Sequence, residues 1–132
     1  MGSRGVVIAL LGTIGFAAST SVEAQCVAPP TIAGVWHAND GGTYRLRING
    51  NEVWWIGMSG DNGRSWTNVF RGTRTGNVIQ GDWADIVGHS GRGTLTLRVS
   101  GTAFMERTGA TGSGFGGQRW GRPCNDTEGH PG

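Results

Sequence analysis

The chain has 132 residues, a formal net charge of +2 and 15% charged residues, which is one domain's worth of sequence and too little charge for highly charged disorder. Its 26 glycines follow no three-residue period, which excludes collagen. The eleven basic residues, all arginine, are scattered, which argues against nucleic-acid binding.

Residues 1–24 read as a secretory signal. Arg4 supplies the positive start, Val6 to Ala18 the apolar stretch, and Val22-Glu23-Ala24 the small residues before a cut at Gln25. The apolar stretch is short and broken by Gly12 and Gly15, so it makes no stable membrane span. A retained N-terminal anchor is the alternative. The expected product is a secreted or periplasmic domain over 25–132 with Cys26 and Cys124 at its two ends. Exported cysteines pair, and a bridge closing so long a loop contributes about 4–5 kcal/mol in the chain-entropy account. It also requires the termini to be neighbours.

No helical periodicity follows. Eight short runs with alternating or continuous apolar character predict strands at Ile32–His37, Thr43–Ile48, Glu52–Met58, Ser65–Thr73, Asn77–Asp85, Gly93–Val99, Thr102–Thr108 and Gly117–Arg122. Asn49-Gly50-Asn51, Thr75-Gly76 and Ser100-Gly101 are hairpin signals. The longest connection is expected at Ile86–Arg92, and a glycine-rich stretch, Gly109–Gly116, precedes the last strand. The reading is all-β: an eight-stranded antiparallel meander barrel closed by an N- to C-terminal disulfide. A two-sheet sandwich is the alternative.

Alternation proposes an inner face. Tyr44, Leu46 and Ile48 share it, as do Leu95, Leu97 and Val99, and likewise Ile79 and Trp83. Trp54 and Trp55 are adjacent and must face opposite sides. If Phe104 points inward, Glu106 follows it and needs Arg119 or Arg122 as a partner.

The segment Ser59-Gly60-Asp61-Asn62-Gly63-Arg64-Ser65-Trp66 resembles an Asp-box, the hairpin motif of sialidases and other β-proteins. The resemblance implies a turn in which the Asp61 carboxylate accepts backbone N–H bonds, Gly63 takes a left-handed conformation and Trp66 packs beneath. One copy makes no propeller, so no glycosidase activity is carried over. A calcium site at Asp61 and Asn62 has too few acids nearby.

Gly34-Val35-Trp36 on the first strand, with Arg119 and Arg122 in the last, resembles the calycins, the lipocalin and avidin superfamily. That resemblance implies an eight-stranded barrel, an arginine packed across Trp36 at the closed end, and often a pocket at the open end. By the pleat, Trp120 and Arg122 share a face and Arg119 takes the other; either arginine could play the part. The wider pattern of Gly41-Gly42-Thr43-Tyr44, Val53-Trp54-Trp55, Asn68-Val69-Phe70, Gly81-Asp82-Trp83-Ala84-Asp85 and Phe115-Gly116-Gly117 resembles a set of small exported bacterial proteins. It brings no activity with it.

Three functions compete. A ligand barrel would line its mouth with Tyr44, Trp55, Trp83 and Trp120 and stack on a small apolar or aromatic molecule, with no cofactor or metal. A protein-interaction or inhibitor module would use exposed tryptophans. A small hydrolase would draw on Asp85, His89 and Glu106, with His37 as a further histidine. Asp82 and Asp85 fall on opposite faces, and no nucleophile elbow or metal spacing is present, so binding is favoured over catalysis. The sequence leans toward the ligand barrel. The two binding readings differ in what they require: the first a cavity inside the barrel, the second a filled barrel with an apolar outer patch.

Overall fold

The computed structural model describes residues 27–123. The signal over 1–24 and the proposed Cys26–Cys124 pair lie outside these residues.

Eight strands follow one another: β1 (Gly34–Ala38), β2 (Thr43–Asn49), β3 (Glu52–Met58), β4 (Thr67–Thr75), β5 (Val78–Val87), β6 (Arg92–Ser100), β7 (Phe104–Ala110) and β8 (Arg119–Gly121). Each pairs antiparallel with the next, and β8 returns to β1, so the sheet closes into a barrel. Every strand is paired on both sides over at least part of its length. The hairpins β2–β3, β4–β5 and β6–β7 gather at one end. The four other connections gather at the opposite end.

The expected inner face is the observed one. Tyr44, Leu46, Val53, Trp55, Phe70, Ile79, Trp83, Leu95, Leu97 and Val99 are buried in one cluster. Trp54 points outward and Trp55 inward, as the pleat demands.

Four expectations need correcting. β5 runs on to Val87, so its connection to β6 is only Gly88–Gly91. The longer connections are Ser59–Trp66 and Thr111–Gln118. Ile32 precedes β1 rather than belonging to it, although it is buried and its carbonyl accepts the Trp36 indole N–H at 2.9 Å. β7 is out of phase with the expectation: Met105 is buried and Phe104 is exposed. Glu106 therefore lies on the outer face, opposite Arg98 and Arg119 in register, and has no need of an interior partner. The two apolar neighbours Phe104 and Met105 make the phase ambiguous in sequence. The three-residue turn, Gly101–Ala103, decides it by setting Met105 opposite the inward Val99.

Arg122 closes the hairpin end. Its side chain is 6% exposed, and its guanidinium lies over the Trp36 ring, 4.5 Å from the centroid. Nε donates to the Thr102 carbonyl at 2.8 Å, Nη1 to the Ala33 carbonyl at 2.7 Å and Nη2 to the Thr31 carbonyl. Of the two candidate arginines, Arg122 stacks on Trp36, while Arg119 is exposed. The geometry follows from the pleat: Trp120 and Arg122 share the inward side.

Candidate functional site

The four residues expected at a mouth do meet, but as packed core. Tyr44, Trp55, Trp83 and Trp120 are each at most 3% exposed. The Tyr44 ring stands edge-on to Trp55 and Trp120, with centroids 5.2 and 5.7 Å apart, and Trp55 stacks on Phe70 at 4.4 Å. Rings and aliphatic side chains thus occupy the interior.

Polar groups cap this stack at the loop end. The Tyr44 hydroxyl donates to Asp40 Oδ2 at 2.6 Å, and Asp40 Oδ1 accepts the Gly42 N–H at 2.9 Å. The Trp55 indole donates to the buried Asn68 amide oxygen at 2.9 Å. Burial first, and then the neighbouring Asp40 carboxylate, push the Tyr44 phenol far above its ordinary value of 10.0. Tyr44 is a neutral donor at any physiological pH.

Beside this cap lies a cavity of about 110 Å³, lined by Asp40, Trp66, Asn68, Asp85, His89, Gly114, Phe115 and Gly116. Two of the three catalytic candidates therefore share a site. Yet Asp85 is committed to its loop: Oδ2 accepts the Gly91 N–H at 2.9 Å, and its own N–H donates to the Gly91 carbonyl at 2.8 Å. Glu106 is on the outer wall, and His37 is on β1, outside this cavity's lining. The three candidates do not form one constellation. Among the described residues no group of three His, Cys, Asp or Glu side chains is arranged to hold a metal ion.

The Ser59–Trp66 loop is ordered by its own side chains. Asp61 Oδ1 accepts the N–H groups of Arg64 (3.0 Å) and Ser65 (3.2 Å), and its oxygens take the hydroxyls of Ser59 and Ser65 at 2.5 Å. Ser59 Oγ accepts the Trp66 N–H at 3.1 Å. These hydroxyl bonds, then the backbone ones, hold the Asp61 carboxyl well below the usual carboxylate range. Gly63 has φ 82°, and Trp66 packs against the core. Every Asp61 oxygen is engaged within the turn, which is the arrangement of a structural hairpin.

The larger cavity, about 570 Å³, is on the outside of the barrel. Its walls come from four adjacent strands and the β7–β8 loop: Trp54 of β3, Val69 and Arg71 of β4, Asp82 and Ala84 of β5, Arg92 and Thr94 of β6, and Thr111. Trp54 is 43% exposed, Ile56 42% and Val69 37%. Register places Ile56 opposite Val69 and Trp54 opposite Arg71, so the apolar side chains are contiguous. Arg71 lies 5.0 Å from the Trp54 ring centroid and bonds Glu52 Oε2 at 3.0 Å, while Trp54 Nε1 donates to Glu52 Oε1 at 3.1 Å. Sequence reasoning knew that one of the paired tryptophans would face out. It missed the groove, because the lining residues are neighbours only once the register of β3–β6 is known. The outward phase of Ile56 and Val69 was the available signal.

These features define a small closed all-β barrel with a filled interior and an apolar outer groove. No protein-family model matches the chain, and no curated protein or solved structure does so either.

Proposed function

We propose that the domain is a non-catalytic protein-interaction module that binds its partner on the outer wall, across β3–β6. The observation carrying this reading is the pairing of an interior filled by its own aromatics with a contiguous exposed patch, Trp54, Ile56 and Val69, beside a 570 Å³ groove. Monomeric surfaces rarely leave tryptophan and branched aliphatic side chains together in mid-sheet. Trp and Arg dominate interface hot spots, and here Glu52 holds both Trp54 and Arg71 in place before binding. Asp82, Arg92 and Thr94 supply a polar rim.

The test uses the exported, oxidised protein as bait against the envelope fraction of its own cell, beside Trp54→Ser and Val69→Ser variants. A partner should be retained by the wild type and lose about thirtyfold or more in affinity to Trp54→Ser, the cost of a hot-spot residue of about 2 kcal/mol. Equal retention by wild type and Trp54→Ser would overturn the proposal.

The Arg122–Trp36 stack supports the calycin-like reading of the barrel. The Asp61 contacts support a structural role for the Asp-box-like hairpin. Export with cleavage after Ala24 and a Cys26–Cys124 bridge remain part of the proposal. The Arg122 bonds to Thr31 and Ala33 support the bridge, because they join the two described segments that lead toward the cysteines. An intact mass equal to residues 25–132 less two hydrogens is the expected result.

A further inference from the structure

The arginines that are scattered in sequence are gathered on the outer wall by register. The pairing of β2 to β6 sets Arg45, Ile56, Val69, Ala84 and Arg92 side by side in one row across five strands. The next outward row is Arg47, Trp54, Arg71, Asp82 and Thr94. The first row is thus apolar in the middle and basic at both ends. The groove takes its lining from these two levels of β3 to β6, so it runs across the strands rather than along them.

Charge gives the groove a sign. Arg71 is held by Glu52. Arg45, Arg47 and Arg92 are exposed, and none of them has a carboxylate partner among the described residues. Four arginines against two acids, Glu52 and Asp82, leave this face with two positive charges. An occupant that complements it brings apolar side chains to the centre and negative charge to the ends. Its length follows from the sheet. Neighbouring strands lie about 4.8 Å apart, so Arg45 and Arg92 are separated by about 19 Å along the wall. An extended chain covers that distance in about six residues, with alternate side chains facing the wall. The two rows are about 7 Å apart along the strands, which suits an extended chain better than a helix of about 10 Å diameter. A bilayer is flat and does not enter a recess of this kind.

We infer that the partner docks through an extended acidic segment laid across β2–β6, with two carboxylates about six residues apart on Arg45 and Arg92 and apolar side chains between them over Ile56 and Val69. The inference rests on the outer-wall reading and names the chemistry of its partner.

The probe is the peptide acetyl-Glu-Ser-Ile-Ser-Val-Ser-Glu-amide, titrated into the exported, oxidised protein and followed by the resonances of the Trp54 indole and the Ile56 and Val69 methyl groups. A second peptide has lysine for both glutamates. A third, acetyl-Glu-Glu-Ser-Ile-Ser-Val-Ser-amide, keeps the composition and breaks the spacing. The first peptide should move all three signals and bind at least about fivefold tighter than either control, the scale of two exposed ion pairs. Salt at about 1 M, where the screening length is about 3 Å, should remove that preference. The double variant Arg45→Gln/Arg92→Gln should lose it at low salt as well. Both side chains are exposed, so this variant should unfold at the wild-type urea concentration. Equal affinity for the glutamate and lysine peptides, or signals unmoved at saturation, would overturn the inference. So would sedimentation with phosphatidylglycerol vesicles that the double variant abolishes, which would assign the face to a membrane, or a wild-type dimer that Trp54→Ser dissociates, which would assign it to a second copy. In the envelope capture, a partner lost by Trp54→Ser but kept by the double variant would overturn the acidic segment and leave the outer-wall reading standing. A partner kept by Trp54→Ser would overturn both.

Discussion

Truncating Arg122 tests whether the hairpin end is held by this one guanidinium. Arg122→Ala removes three hydrogen bonds from a charged donor, each worth about 1.5–3 kcal/mol, and a desolvated cation–π contact of about 2 kcal/mol. Against these stands the cost of burying the charge, several kcal/mol, which the variant recovers. Three carbonyls are left without their donor, at about 1–3 kcal/mol each, and net of the recovered burial cost the expected loss is about 3–5 kcal/mol. Small domains have only about 5–15 kcal/mol in total. Urea unfolding followed by tryptophan fluorescence measures the loss. With a slope of about 2 kcal/mol per molar, the midpoint should fall by about 2 M. Arg122→Lys keeps the charge but not the planar stack or the forked donors, so it should recover less than half of the loss. A midpoint for Arg122→Ala within about 0.5 M of wild type would refute this account, because the three carbonyls would then be satisfied without the guanidinium.

Other consequences are as direct. Gly57→Ala places a methyl group 2.4 Å from a Tyr44 ring carbon and 2.8 Å from Asn68 Oδ1, so it should cost about 1–3 kcal/mol in urea unfolding by forcing that ring aside. Tyr44 is the single tyrosine, so the rise in tyrosinate absorbance with pH reports it alone above the constant contribution of the six tryptophans. Its raised pKa means the folded state keeps a proton that the unfolded state releases. Stability should therefore be full below pH 10, fall as pH rises further, and lose that fall in Tyr44→Phe; tyrosinate appearing near pH 10 in the folded protein would contradict the burial argument. Asp61 has the opposite sign. Its carboxylate contributes above the ordinary value of 3.8 and is lost as pH falls below it, so Asp61→Asn should flatten the acid limb of a melting-temperature profile.

The barrel was legible because alternation and turn residues agree along most of the chain. Asn49-Gly50-Asn51 and Thr75-Gly76 fix two hairpins, and the register they set carries Leu46, Trp55, Phe70, Trp83 and Leu95 to one side. Legibility failed where the pattern had two solutions. Phe104 and Met105 are both apolar, and only the turn geometry before them selects Met105. The site was less legible for a different reason. Trp54, Val69, Asp82 and Arg92 come from four strands, and their grouping is a product of register, not of spacing. Phe115 sits among glycines in a segment with no period at all. Its partners, Trp55, Trp83 and Trp120, were the residues expected around a ligand, and the chain supplies its own ring there.

The joint between the first and last strands sets how the barrel assembles. β1 and β8 share only two register pairs, His37 with Gly121 and Ala38 with Trp120, whereas every other pairing joins strands adjacent in the chain. Hairpins form by short loop closures and are fast; this joint brings together groups such as Asn39 and Arg119, 80 residues apart. Of all the pairings in the sheet this one carries the largest loop-closure entropy, as with the last stave of a cask. Arg122 fastens that stave from the inside. A bridge between the chain ends would convert the longest-range pairing in the sheet into a local one. A circularly permuted chain, opened at Gly76 and joined through its present ends, would gain the same advantage by covalent connection.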